Sequence, residues 1–214
     1  MPLFALDKSL QFPPVELAEA DGLLAIGGDL SVDRLLLAYR NGIFPWYEGE
    51  HILWWCPQPR FVLFPENLKV SKSMQQLIKK KSFNFTVNKA FQEVIRQCKQ
   101  SKRKEQDGTW ITDEVEQAYI NLFRLGYAFS AEAWQDGELV GGLYGIKLGK
   151  VFFGESMFSK VSNASKFAFI CYVNQLQSEG VELIDCQVYT SHLESLGAAM
   201  IPREKFVGLL QKLL

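Results

Sequence analysis

The stretch "YAFSAEAWQDGELVGGLYGIKLGKVFFGESMFS", Tyr127–Ser159, decides the fold. Asp136-Gly137 is a two-residue hairpin signal, flanked by "YAFSAEAWQ" and "ELVGGLYGIKLG", both of strand character. "KVFFGESMFS" follows after Gly149. Three strands joined by such short turns predict a β-meander.

Upstream of the meander the elements alternate. "SKSMQQLIKKK" predicts a helix, "FNFTVN" a strand, and "AFQEVIRQCKQS" a second helix that ends in a charged loop. "TDEVEQAYINLFRLG" predicts a third, with Thr112 as cap, an apolar stripe of Val115, Ala118, Tyr119 and Leu122, and Gly126 beyond its end. Downstream, "NASKFAFICYVNQLQSEG" is helical, and "LIDCQVY" is a strand. "SHLESLG" fits a capping box, with Ser191 as cap and Glu194 three residues on. "REKFVGLLQKLL" is a last helix. This order predicts an α+β fold with a mixed β-sheet, and it resembles the arrangement of GNAT-type N-acyltransferases.

The region before Pro65 differs. It is dense in prolines, glycines and aromatics, as in "NGIFPWY" and "WWCPQPRFVLFP", and favours short strands and loops over helix. Within it "SVDRLLLAYRNG" reads as one short helix capped by Ser31. The break suggests a small N-terminal mixed domain over 1–65 and a larger domain over 66–214.

A net charge of −1 in 214 residues gives no global basic field for nucleic acid. The cysteines Cys56, Cys98, Cys171 and Cys186 form no C-x-x-C pair, so no zinc site or other metal centre is expected. Asp7 interrupts what a secretory leader would need, and no apolar run approaches a membrane span. A reduced cytoplasm is the expected setting.

Several residues stand out as chemistry. In "LIDCQVY", side chains of a regular strand alternate, so Asp185, Gln187 and Tyr189 share one face and Ile184, Cys186 and Val188 the other. Asp185 with Gln187 suits an amine, or else forms the wet face of a half-exposed strand. Cys186 shares parity with its apolar neighbours and reads as core, although a thiol is a possible nucleophile. Glu155, beside Gly154 at the end of an apolar strand, is either a rim carboxylate or an acid with a shifted pKa. His51 and His192 form no catalytic set. Trp46 and Trp110 stand in loops where an indole either packs core or stacks on a base. The runs Lys79, Lys80, Lys81 and Lys102, Arg103, Lys104 are either solvated faces or phosphate contacts.

The blocks "GLLAIGGDLS", "YRNGIFPWY", "WWCPQPR", "GTWIT", "LVGGLYGI", "FFGESMFS", "NASK" and "LIDCQVYTSHLESLGA" resemble the leucyl/phenylalanyl-tRNA–protein transferase family, in order from Gly22 to Pro202. The resemblance implies a small N-terminal domain followed by a GNAT-like domain. It implies an enzyme that takes Leu or Phe from aminoacyl-tRNA and joins it to the N-terminal Arg or Lys of an acceptor protein. The product would be an N-degron read by a proteolytic adaptor. Asp185 and Gln187 correspond to the residues of the chemistry, and Glu155 to an acid facing the acceptor's N-terminal residue. Trp46 and Trp110 correspond to aromatics that hold the tRNA 3′-adenosine. Leu143, Met157, Phe169, Tyr172 and Ile184 correspond to the side-chain pocket. Ile184 opposes Asp185 in strand parity, so it lines that pocket only if both strand faces border the site.

The reaction implied is aminolysis of an ester, which needs no acyl-enzyme and no cofactor. Asp185 is expected to polarise and orient Gln187, which holds the amine, and Glu155 to favour a cationic N-terminus. Met is expected as a poorer donor, because one methylene-sized difference discriminates by only about 1–3 kcal/mol. A monomer is expected. Two rivals fit parts of the sequence. An acyl-CoA enzyme would carry a Gly-rich loop where "SKVSNASK" stands without glycine, and an RNA-binding module would leave Glu155, Asp185 and Gln187 unexplained.

Overall fold

The computed structural model describes residues 3–101 and 110–214. Lys102, Arg103 and Lys104 lie outside the described residues. In chain order the strands are β1 (Phe4–Leu6), β2 (Leu23–Gly27), β3 (Phe44–Pro45), β4 (Leu53–Trp55), β5 (Arg60–Leu63), β6 (Asn84–Val87), β7 (Ala128–Gln135), β8 (Glu138–Leu148), β9 (Val151–Ser159), β10 (Leu183–Gln187) and β11 (Ala199–Ile201). The helices are α1 (Val32–Arg40), α2 (Lys72–Lys79), α3 (Phe91–Gln100), α4 (Asp113–Arg124), α5 (Ala164–Ser178), α6 (Ser191–Glu194) and α7 (Arg203–Leu213).

The meander forms as its turns dictate. Asp136 and Gly137 both take positive φ, 51° and 82°, the conformation of a two-residue hairpin whose twist matches its strands. β7, β8 and β9 pair antiparallel in the middle of a seven-stranded sheet ordered β11-β5-β10-β9-β8-β7-β6. The β9–β10 pair is parallel, so the sheet is mixed and the fold is α+β. The connection between those two strands is α5. Gly141 lets α5 sit close, since a Cβ there would come within 2.6 Å of Ala164.

Local signals place the helix starts. Ser31, Ser71 and Thr112 each accept the backbone N–H three residues on, from Arg34, Met74 and Val115. The α4 stripe buries Val115, Tyr119 and Leu122 completely against the sheet. Each such side chain stabilises the fold by about 1.5–3 kcal/mol. One expected start shifts: the cap of α6 is Thr190, not Ser191, and it accepts from Leu193 N–H at 3.2 Å. Glu194 instead accepts from the Tyr189 hydroxyl, so no capping box closes.

A second sheet, ordered β1-β2-β4-β3, forms with α1 the N-terminal region. The division expected at Pro65 falls too late. β5 precedes Pro65 but pairs with β10 and β11, so the sheets part between Trp55 and Arg60. One apolar core joins the N-terminal region, α3, α4 and α7 to one face of the large sheet, and a second lies under α5 and α2 on the other face.

Candidate active site

Two β-bulges on neighbouring strands build the site. On β9, Gly154 pairs with Gly145 and Ser156 with Tyr144, so Glu155 is the extra residue and is turned out of the regular alternation. On β10, Asp185 pairs with Val62 and Gln187 with Phe61, so Cys186 is the extra residue. Gln187 follows with φ +63°, uncommon for a residue other than glycine. The bulge overturns the alternation expected for this strand. Asp185 points into the body of the protein, Gln187 is swung toward β9, and Val188 and Tyr189 leave the strand and are exposed.

The same geometry settles the parity of Ile184. Parallel pairing of β9 with β10 ends at Phe153 opposite Asp185, although β9 continues to Ser159. Past that point the strands part, and a cavity of about 370 Å³ opens between them. Residues of both strand faces border it. Leu143, Met157, Phe169 and Ile184 line its apolar part, and Glu155 and Gln187 its polar part. Tyr172 is not among the lining residues. It is buried edge-on against Phe152, which backs the sheet.

Glu155 is held by three neutral donors. Its Oε1 accepts from Tyr39 Oη at 2.8 Å and from Gln187 Nε2 at 3.0 Å, and its Oε2 from Tyr119 Oη at 2.8 Å. Burial pushes its carboxyl up to about 7, against the opposing effect of the two phenols, and the nearby Asp185 charge adds to the rise. Burial, with Glu155 beside them, holds both phenols well above their usual range, so they remain donors. Glu155 is thus a carboxyl that changes charge near neutrality inside a cavity, the property of a proton acceptor.

Asp185 is different. Its side chain is fully enclosed, and both oxygens engage Arg60, Nε to Oδ1 at 2.8 Å and Nη2 to Oδ2 at 2.6 Å. Oδ1 also accepts the Gln187 backbone N–H at 2.9 Å. The Asp185 charge is thus matched by a buried cation.

A second cavity, about 80 Å³, is lined by Phe44, Pro45, Trp46, Trp110, Glu155, Gln187 and Val188. Trp46 and Trp110, which stand 64 residues apart by their numbers, therefore line one cavity beside Glu155. Trp46 also packs on Trp55 at 5.9 Å between ring centroids. Lys79, Lys80 and Lys81 are exposed around the end of α2, away from either lining. Cys186 is buried with its thiol pushed far up by desolvation, which suits core and not a nucleophile. His192 lies on α6 at the pocket, its imidazole lowered by burial and by Lys166, and His51 is exposed in a loop.

Sequence reasoning missed Arg60, Tyr39 and Tyr119 as site residues. The one visible signal was a single arginine in "PRFVLF", a charge opening an otherwise apolar strand. Among the described residues no cluster of His, Cys, Asp and Glu is arranged to hold a metal, and no helix is long and apolar enough to cross a membrane.

The site therefore joins a mixed sheet, split between two parallel strands, to a carboxyl raised by burial at the end of an apolar pocket. The family model for leucyl/phenylalanyl-tRNA protein transferase matches residues 62–211, and that for the family's N-terminal domain matches 28–58. A leucyl/phenylalanyl-tRNA–protein transferase of Syntrophus aciditrophicus is 58% identical over 213 residues, covering 99% of this chain and 89% of that one. One from Flavobacterium johnsoniae is also 58% identical, covering 98% of this chain and 99% of that one. Among solved structures, a GCN5-related N-acetyltransferase-like protein of Streptococcus suis is similar with a TM-score of 0.40 and 13% identity, over 79% of this chain and 63% of that one. The chain belongs to the leucyl/phenylalanyl-tRNA–protein transferase family and is an aminoacyltransferase.

Proposed function

We propose that the enzyme moves Leu or Phe, and Met less well, from aminoacyl-tRNA to the N-terminal Arg or Lys of acceptor proteins. The product would carry an N-terminal residue that marks it for proteolysis. In this reading it acts as a monomer in the cytoplasm. The observation that carries the proposal is the continuity of one cavity, apolar at Leu143, Met157, Phe169 and Ile184 and ending at the hydrogen-bonded Glu155–Gln187 pair. A donor side chain buried at one end leaves its ester carbonyl beside the groups that hold an amine at the other.

The chemistry follows from those groups. An α-amine with a pKa of about 7.7–8.0 is largely protonated near neutrality. Gln187 gives its Nε2 hydrogen to Glu155, which leaves Oε1 to accept from the amine and aim its lone pair. Glu155, at about 7, takes the amine's proton at little cost, directly or through one water. The amine nitrogen then bonds to the ester carbonyl carbon, the carbon–oxygen bond to the tRNA breaks, the second proton lost by nitrogen passes to the departing 3′-oxygen, and Glu155 releases the first to water. The ionised Glu155 also favours a cationic N-terminal residue.

Trp46 and Trp110 suit the terminal adenine, at roughly 1–3 kcal/mol per stacked base. Lys79, Lys80 and Lys81, with Lys102, Arg103 and Lys104, would meet acceptor-stem phosphates without reading sequence. A steep rise of the tRNA KM with salt is then expected, and a flat response removes these runs from the reading.

The deciding assay supplies labelled Leu-tRNA or Phe-tRNA, or labelled acetyl-CoA, with peptides beginning Arg, Lys or Ala. Label should move from the tRNAs alone, to the Arg and Lys peptides alone. Equal transfer to the Ala peptide, or transfer from acetyl-CoA, overturns the reading.

A further inference from the structure

We propose that Arg60 is a positioning residue of the transfer reaction, acting through Asp185 to hold Gln187 in the conformation that presents its carboxamide. The inference rests on the reading that Gln187 holds the acceptor amine.

Arg60 opens β5 and is fully enclosed. Its guanidinium lies between two rings, 4.7 Å from the Phe44 centroid and 4.6 Å from that of Phe206. Phe44 belongs to the N-terminal sheet and Phe206 to α7, so three distant parts of the chain fix this one cation. Nη1 is buried without a hydrogen-bond partner among the described residues. The stacked faces and the fork of Nε and Nη2 on Asp185 therefore define its orientation.

The orientation is passed on. A planar guanidinium gripping a carboxylate with two hydrogen bonds fixes the carboxylate plane, which a lysine ammonium does not. Asp185 Oδ1, so placed, takes the Gln187 N–H two residues on. That bond secures Gln187 at φ +63°, a conformation a non-glycine residue leaves unless something holds it. From there the Gln187 carboxamide reaches Glu155 at 3.0 Å. A buried ion pair is a weak source of net stability compared with well-packed apolar residues of the same volume. What this pair supplies beyond packing is direction, delivered two links from the reacting amine.

The test is single-turnover transfer from Phe-tRNA to an Arg-peptide. Arg60→Lys and Phe206→Leu are each made alone and in a Gln187→Ala background, with thermal unfolding in parallel. Arg60→Lys should slow transfer roughly 10–100-fold at saturation, the cost of misplacing a reacting group by about an ångström, with the tRNA KM within about twofold. Phe206→Leu should slow it less, about 3–10-fold, because the fork survives and only one stacked face is lost. In the Gln187→Ala background each should cost under about twofold, since residues acting through one group are not additive. The pair Arg60→Met with Asp185→Leu should recover the unfolding midpoint without recovering the rate.

A wild-type rate in Arg60→Lys, an equal loss in both backgrounds, or a recovered rate in the apolar pair overturns the proposal. Full activity of Gln187→Ala alone instead overturns the role of Gln187. If Arg60→Lys does not fold, Phe206→Leu in the two backgrounds decides by the same criteria.

Discussion

Glu155 and Asp185 sit on adjacent strands, β9 and β10, and the protein deals with their burial in opposite ways. Around Asp185 there is a cation in full ion-pair geometry, enclosed between aromatic rings. Among the described residues, the groups that hydrogen-bond Glu155 are two neutral hydroxyls and an amide. A buried carboxylate gripped by a cation through two hydrogen bonds is held in one orientation. A carboxylate solvated by neutral donors is left near balance between its two states, and can accept a proton. In the proposed mechanism this difference gives geometry to one side of the site and proton chemistry to the other.

The largest expected effect breaks the Asp185 side. Asp185→Asn leaves Arg60 buried without its counter-charge and should cost about 3–5 kcal/mol in urea unfolding. A loss below about 1 kcal/mol would mean that Arg60 finds another partner and the contrast is false.

Next comes the Glu155 side, read through pH. The native carboxyl, at about 7 against an ordinary 4.5, binds more protons than the unfolded chain between those values. Stability from this group is therefore full below about 4.5, falls as pH rises, and has lost about 3 kcal/mol once pH exceeds about 7. Glu155→Gln should remove that slope, so its unfolding free energy exceeds that of the wild type near neutrality, while transfer drops about 10²–10⁴-fold. Identical pH–stability curves for the two proteins would contradict the raised carboxyl of Glu155.

A smaller effect separates the sides by ligand. The tryptophan cavity borders Glu155 and Gln187 but not Asp185. Trp46→Ala should weaken aminoacyl-tRNA binding by roughly 1–3 kcal/mol while lowering the unfolding midpoint less than Asp185→Asn does. Equilibrium titration beside urea melts separates the two. The smallest is a shift in profile. Tyr119→Phe removes one donor to Glu155 and should move the midpoint of the pH–rate curve upward, measured by single turnover; a downward shift would contradict the donor role of the phenol.

Much of the frame was legible in the sequence because its signals are local. Asp136-Gly137 named its own turn, and Thr112 its own helix start. Glu155, Asp185 and Gln187 were visible as polar residues in apolar strands, and their family resemblance named them together. What each one does was not legible. Strict alternation on "LIDCQVY" put Asp185 and Gln187 side by side, whereas the extra residue Cys186 turns them to different partners. Thr190 and Ser191 are adjacent hydroxyls, and only the backbone path chose between them.

The sequence by itself determined the elements, their order and the residues with chemical capacity, since turn conformation, capping and periodicity act over a few residues. The tertiary structure alone decided which acid faces a cation and which one faces neutral donors. Tyr39 reaches Glu155 across 116 residues of chain and Arg60 reaches Asp185 across 125, and desolvation depends on everything packed around a group. No local window contains those neighbours, and the two carboxyls differ only in them.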